Sequence, residues 1–106
     1  MTLFKVNTND PEDLRTSLAA LCENDNDMNG ENGDEYLWPD ASDHGFKSNA
    51  EYLADAVLSD PDCTTARQMF EAFAERFYET NNHYYKDYDI NFIEEENALT
   101  VGFAIY

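Results

Sequence analysis

Carboxylates are the residues of this chain most able to do chemistry, and they fall into two arrangements. The first is the stretch "ENDNDMNGENGDEY", residues 23–36. A calcium loop of the EF-hand type needs D-x-[DN]-x-[DN]-G followed by a bidentate Glu at position twelve. From Asp25 the frame supplies Asp25, Asp27, Asn29 and Gly30 at positions one, three, five and six. The second half departs from it. Asn32 stands at position eight, where an apolar residue is usual, and Tyr36 stands at position twelve, with Glu35 one residue early. The following "YLWPDASDHG" does not read as the exiting helix that such a loop needs. No metal ligand set is therefore assigned, and the stretch reads as a turn-rich acidic loop or as part of a larger acidic surface.

The second arrangement is the row Glu71, Glu75 and Glu79, one glutamate every four residues. On a helix, four residues rise about 6 Å. That is near the separation of successive phosphates on one nucleic-acid strand, on the order of 6–7 Å along the path of the backbone. Like charges at i, i+4 cost a helix a few tenths of a kcal/mol per pair. A polar face opposite an apolar one explains acids somewhere on such a helix. It does not explain why Lys and Arg were not interleaved.

Other chemistry has little to stand on. There is no Gly-rich phosphate loop, no G-x-S-x-G and no H-E-x-x-H. The only histidines, His44 in "SDHG" and His83 in "NNHYY", read as solvated loop residues. Cys22 and Cys63 are the only cysteines and lack any zinc-like spacing, so two reduced thiols are expected. Catalytic residues and cofactors are accordingly assigned as none.

The totals agree. The chain has 106 residues, 23 acids against six bases, and a net charge of −17. Such a charge disfavours nucleic acid and anionic membranes and favours basic protein surfaces. Between Arg15 and Lys47 lie eight acids (Glu23, Asp25, Asp27, Glu31, Asp34, Glu35, Asp40 and Asp43) and no Lys or Arg. With 42% hydrophobic and 14% aromatic residues, the chain is not a disordered acidic tail. No signal peptide or membrane-spanning run is read, so a cytoplasmic protein is expected.

These carboxylates must be positioned by a single small domain. "TLFKVN" (2–7) alternates as a strand. Asp10 caps a helix with Pro11 in its first turn, whose stripe is Leu14, Leu18, Leu21 and Cys22 and which is expected to end near Glu23. A long acidic loop at about 24–47 follows, with Tyr36, Leu37 and Trp38 as its apolar pins. "SNAE" (48–51) is a capping box opening a second helix with Ala50, Leu53, Ala54, Val57 and Leu58 on one face. The third helix, expected over about 62–80, carries Ala66, Met69, Phe70, Phe73, Ala74 and Phe77, with the glutamate row on the face opposite Phe70, Phe73 and Phe77. Tyr88–Phe92 and Leu99–Ile105 alternate as two strands of a hairpin turning at 94–98. Gly102 suggests a bulge or the close approach of a helix. The order β-α-α-α-β-β predicts an α+β domain, a three-stranded antiparallel sheet with helices on one face.

In size, charge and aromatic content the whole chain resembles small acidic inhibitors carried by phages and mobile elements: DNA mimics, anti-restriction proteins and anti-CRISPR proteins. The resemblance implies a carboxylate surface that occupies the basic nucleic-acid channel of a host defence protein, such as a nuclease or CRISPR effector. The expected partner-binding residues are Glu71, Glu75, Glu79, Asp25, Asp27, Glu31, Asp34 and Glu35. Trp38, Tyr84, Tyr85 and Tyr88 are the expected aromatic anchors. The same physics serves an immunity protein or antitoxin against a basic nuclease toxin. A calcium-binding module and a halophile's acidic domain are the further alternatives, the latter less natural beside eleven asparagines.

Overall fold

The computed structural model describes residues 2–21, 45, 49–80 and 85–106. Over these the chain forms β1 (Thr2–Asn7), α1 (Pro11–Ala20), α2 (Asn49–Leu58), α3 (Ala66–Thr80), β2 (Tyr88–Glu95) and β3 (Ala98–Ile105). This is the α+β order expected, β-α-α-α-β-β. The sheet runs β1-β3-β2, with both pairings antiparallel.

Local chemistry sets most of the element ends. The Asp10 carboxylate accepts the Glu12 N–H at 3.0 Å and Pro11 opens α1, as its sequence predicts. The helix stops at Ala20, with Leu21 as its C-cap, earlier than Glu23. Ser48, half of the expected capping box, lies outside the described residues, and α2 is described from Asn49. The third helix starts at Ala66, four residues later than expected. Asp60 accepts the Asp62 N–H at 2.9 Å, and the Cys63 N–H reaches the Asp60 carbonyl at 3.0 Å. This local turn competes with helix over 60–63. The true cap is Thr65. Its Oγ1 accepts the Gln68 N–H, and Gln68 Oε1 accepts the Thr65 N–H, both at 3.2 Å. This is a reciprocal T-x-x-Q capping box.

The hairpin closes at the Glu95–Ala98 pair. Asn97 takes φ 62 in the turn, a left-handed conformation that asparagine tolerates better than most residues. The Asn97 carbonyl accepts the Thr8 N–H at 3.1 Å and so ties the turn to the end of β1. Gly102 makes no bulge. The register runs unbroken through it, opposite Leu3 on one side and Asn91 on the other. Val101 and Phe103 point into the core, so Gly102 faces the other side of the sheet.

All three helices lie on that core side. α1 packs on β1, α3 packs on β2, and α2 packs across α1 and α3. Val6, Leu18, Val57, Phe70, Phe73, Val101 and Phe77 are essentially inaccessible. On the opposite sheet face Leu3 and Ile93 are exposed and Gly102 is buried. Among the described residues no helix is long and apolar enough to cross a membrane.

Candidate functional site: the acidic groove between the third helix and the edge strand

α3 exists because of its apolar face. Burying one phenylalanine is worth about 1.5–3 kcal/mol, whereas a like-charge i, i+4 pair costs about 0.2–0.5. Phe70, Phe73 and Phe77, all buried, therefore outweigh the repulsion within the glutamate row. Phe70 meets Phe4 at 5.9 Å between ring centres, and Phe77 meets Phe103 at 6.4 Å.

The glutamate row is not strictly opposite these rings. At 3.6 residues per turn, each step of four drifts about 40° around the axis. Glu75 and Glu79 therefore lie within about 30° of the direction opposite the three rings, and Glu71 about 50° from it, on the flank beside β2. All three glutamates are exposed. Glu71 and Glu75, with Arg67, form one wall of an open groove of about 530 Å³; Tyr88, Ile90 and Phe92 of β2 form the other.

The two ends of the groove differ in charge. At the Arg67 end, Arg67 Nε lies 3.0 Å from Glu71 Oε1 and Nη1 lies 4.0 Å from Glu94 Oε1. The same guanidinium sits 5.0 Å from the centre of the Phe92 ring, a cation–π contact. So one arginine is interleaved with the row after all, and it answers Glu71. Glu75 and Glu79 have no ion pair or hydrogen bond among the described residues. The other two arginines are engaged elsewhere: Arg15 with Asp55 at 3.0 Å and Arg76 with Asp60 at 2.5 Å. Arg76 and the Asp62 N–H hold the Asp60 carboxyl below the usual carboxylate range, the backbone bond being the larger cause. Glu79 also sits in the last helical turn, where the macrodipole favours cations, and none of the described helices has a basic residue there.

Tyr88 marks the bare end. Tyr78 lies 5.2 Å from its ring centre and Phe103 lies 6.4 Å away. Tyr78 is itself fixed by its hydroxyl, which donates to the Lys86 carbonyl at 2.8 Å. Burial pushes the Tyr88 phenol above its ordinary pKa, and Glu75, Asp87, Glu79 and Glu71 push in the same direction. The whole glutamate row thus bears on one aromatic hydroxyl.

Of the residues expected to bind a partner, Glu71, Glu75, Glu79, Tyr85 and Tyr88 are described. Glu71, Glu75 and Tyr88 come together at the groove, and Glu79 lies beyond its lining. Tyr85 is half-buried with its ring centre 6.1 Å from Phe77, so part of it serves the core. Asp25, Asp27, Glu31, Asp34, Glu35, Trp38 and Tyr84 lie outside the described residues. Arg67 and Phe92 were missed by sequence reasoning. The four-residue step from Arg67 to Glu71 was a usable signal for the first; nothing local signals Phe92. Cys63 is a free, half-buried thiol whose pKa burial raises, so it is a poor nucleophile. Among the described residues no three acidic, His or Cys side chains gather into a metal-sized cluster. Comparison with protein-family models, curated proteins and solved structures finds no match to this chain.

Proposed function

We propose that this chain is an acidic inhibitor that binds the basic nucleic-acid-binding surface of a host defence protein in place of nucleic acid. The observation that carries this reading is the unanswered half of the glutamate row. Glu75 and Glu79 are exposed without a cation among the described residues, while every arginine of the chain is engaged with another acid. Two local rules work against them: like-charge repulsion at i, i+4 and an acid at the negative end of the helix dipole. Carboxylates kept against local cost are expected at sites of function. In this role they stand in for phosphates, and the net charge of −17 steers a basic partner into encounter.

The test is capture of partners from host lysate at low and high salt, followed by binding kinetics of wild type and the Glu71→Gln/Glu75→Gln/Glu79→Gln protein. The expected outcome is a basic nucleic-acid-binding protein, captured at low salt and released at high salt. The triple variant should associate more slowly and with a shallower salt dependence. Equal rates and affinities for the two proteins would reduce the row to a solvated helix face. Capture of a basic nuclease toxin would move the reading to an immunity protein.

A further inference from the structure

The groove between α3 and β2 contains two cells of similar composition. The first holds Arg67, with Phe92 beneath its guanidinium and Glu71 and Glu94 at its nitrogens. An aromatic face with carboxylates at the edge is the environment that a guanidinium prefers, because it stacks and donates in a planar fork. The second cell lies further along. From Arg67 to Glu75 the helix advances eight residues, about 12 Å. From Phe92 back to Tyr88 the strand covers four residues, about 13 Å. Along the axis helix and strand stay in step, but Glu75 falls at the place that Arg67, not Glu71, takes in the first cell and is turned about 80° further round, so the second cell has a carboxylate where the first has its cation. Tyr88 and Glu75 both line the groove. Phe103 and Tyr78 brace the Tyr88 ring. No cation occupies this second cell among the described residues.

We propose that the Tyr88–Glu75 cell receives an arginine side chain from a basic partner, held between ring and carboxylate. This deepens the proposed function and rests on its reading of the partner as a basic protein. It also adds specificity. A bare carboxylate row attracts any cation, whereas an aromatic floor with a carboxylate edge selects guanidinium over ammonium. Tyr88 supplies the floor, Glu75 supplies the acceptor, and Glu79 adds negative potential at the open end. Arg67 closes the other cell against the same ligand.

The experiment is an NMR titration of the full chain with two capped tripeptides, Gly-Arg-Gly and Gly-Lys-Gly, at low salt. The arginine peptide should shift the signals of Tyr88, Ile90 and Glu75 saturably. It should bind about threefold tighter than the lysine peptide, because the planar guanidinium stacks on the ring while donating in a fork and the ammonium does not. Tyr88→Leu and Glu75→Gln should each remove that preference, and Glu12→Gln on α1 should leave it intact. Glu75 is exposed, so its variant remains a fair test if Tyr88→Leu fails to fold. In Arg67→Ala the first cell is vacated, and a second peptide should bind with shifts at Phe92. Equal response to both peptides, shifts spread over the acids of α1 and α2, or an arginine preference that survives Glu75→Gln would overturn the proposal. Lost selectivity with capture of a basic partner retained defeats this inference alone. Retained selectivity with no basic protein captured defeats the proposed partner alone.

Discussion

The two faces of α3 obey opposite rules. One carries Phe70, Phe73 and Phe77, each at most 1% exposed, whose burial stabilises the fold. The other carries Glu71, Glu75 and Glu79, exposed, mutually repulsive and, Glu71 apart, without a cation among the described residues. The first face makes the fold; the second costs stability and is tolerated because the first is strong. The difference separates residues explained by packing from residues that packing leaves unexplained, and it is the latter that point to a partner.

The largest effect should come from the core face. Phe73→Ala deletes a fully buried ring and leaves a cavity under the sheet, so it should cost about 3–5 kcal/mol. Urea unfolding of the variant checks this. A loss under about 1 kcal/mol would mean that the site collapses freely, and that α3 is not anchored as its burial indicates.

What the sequence made legible follows this same division. The apolar stripes of α1, α2 and α3, and the alternation of β2 and β3, locate the elements because their periods are local. The cap at Asp10 was legible for the same reason. The start of α3 was not, because Asp60 and Asp62 look like helix-starting acids but instead close a turn, and the working cap is the later Thr65–Gln68 pair. The glutamate row was legible as a spacing. Tyr88 was legible as an aromatic anchor but not as a neighbour of the row, and Phe92 was not legible at all, because the packing of α3 on β2 brings them to Glu75 and Glu71 from 13 and 21 residues away in sequence. Gly102 misled because a glycine in a strand suggests a bulge, whereas here it lies between Leu3 and Asn91 in an unbroken ladder.

The next effect belongs to the acidic surface as a whole. With a net charge of −17 the folded state repels itself, and monovalent salt screens that repulsion over a Debye length of about 10 Å at 0.1 M. Thermal stability should therefore rise as salt is added up to a few tenths molar. A melting temperature that stays flat or falls would show that the carboxylates are already compensated locally. Loss of the exposed Arg–Asp and Arg–Glu pairs on screening should be the smaller term, since such pairs contribute at most about 1 kcal/mol each.

A finer measurement joins the two faces at Tyr88. Its pKa in the folded chain lies above the ordinary 10.0, through burial first and the carboxylates of Glu75, Asp87, Glu79 and Glu71 after it. A folded-state pKa above the unfolded one gives stability that is fully present below the unfolded value and lost as pH rises through the folded value. The contribution should thus be intact at neutral pH and disappear only in strong base. Phenolate absorbance, taken as the difference between wild type and Tyr88→Phe, should place this titration above that of a free tyrosine. In the Glu75→Gln protein it should move back toward it. An unchanged titration in Glu75→Gln would separate the hydroxyl from the row and weaken the second groove cell.

The smallest effect is also the most discriminating, because it compares two neighbours in one row. Glu71 has a cation at i−4: Arg67 Nε lies 3.0 Å from its carboxylate. Glu75 has none, and its i±4 neighbours are Glu71 and Glu79, both negative. Neutralising Glu71 removes one attraction and one repulsion, and also releases the Arg67 guanidinium from its place over Phe92. Neutralising Glu75 removes two repulsions and no ion pair. With each i, i+4 term worth about 0.2–0.5 kcal/mol, Glu71→Gln should be neutral or slightly destabilising. Glu75→Gln should be stabilising by about 0.4–1 kcal/mol at low salt, with the gain fading as salt screens the row. Paired urea titrations at low and moderate salt resolve the two signs. Stabilisation by both substitutions would mean that Arg67 does not compensate Glu71 in solution. Stabilisation by neither would mean that Glu75 feels no repulsion, and the contrast between the answered and unanswered ends of the groove would then have no energetic basis.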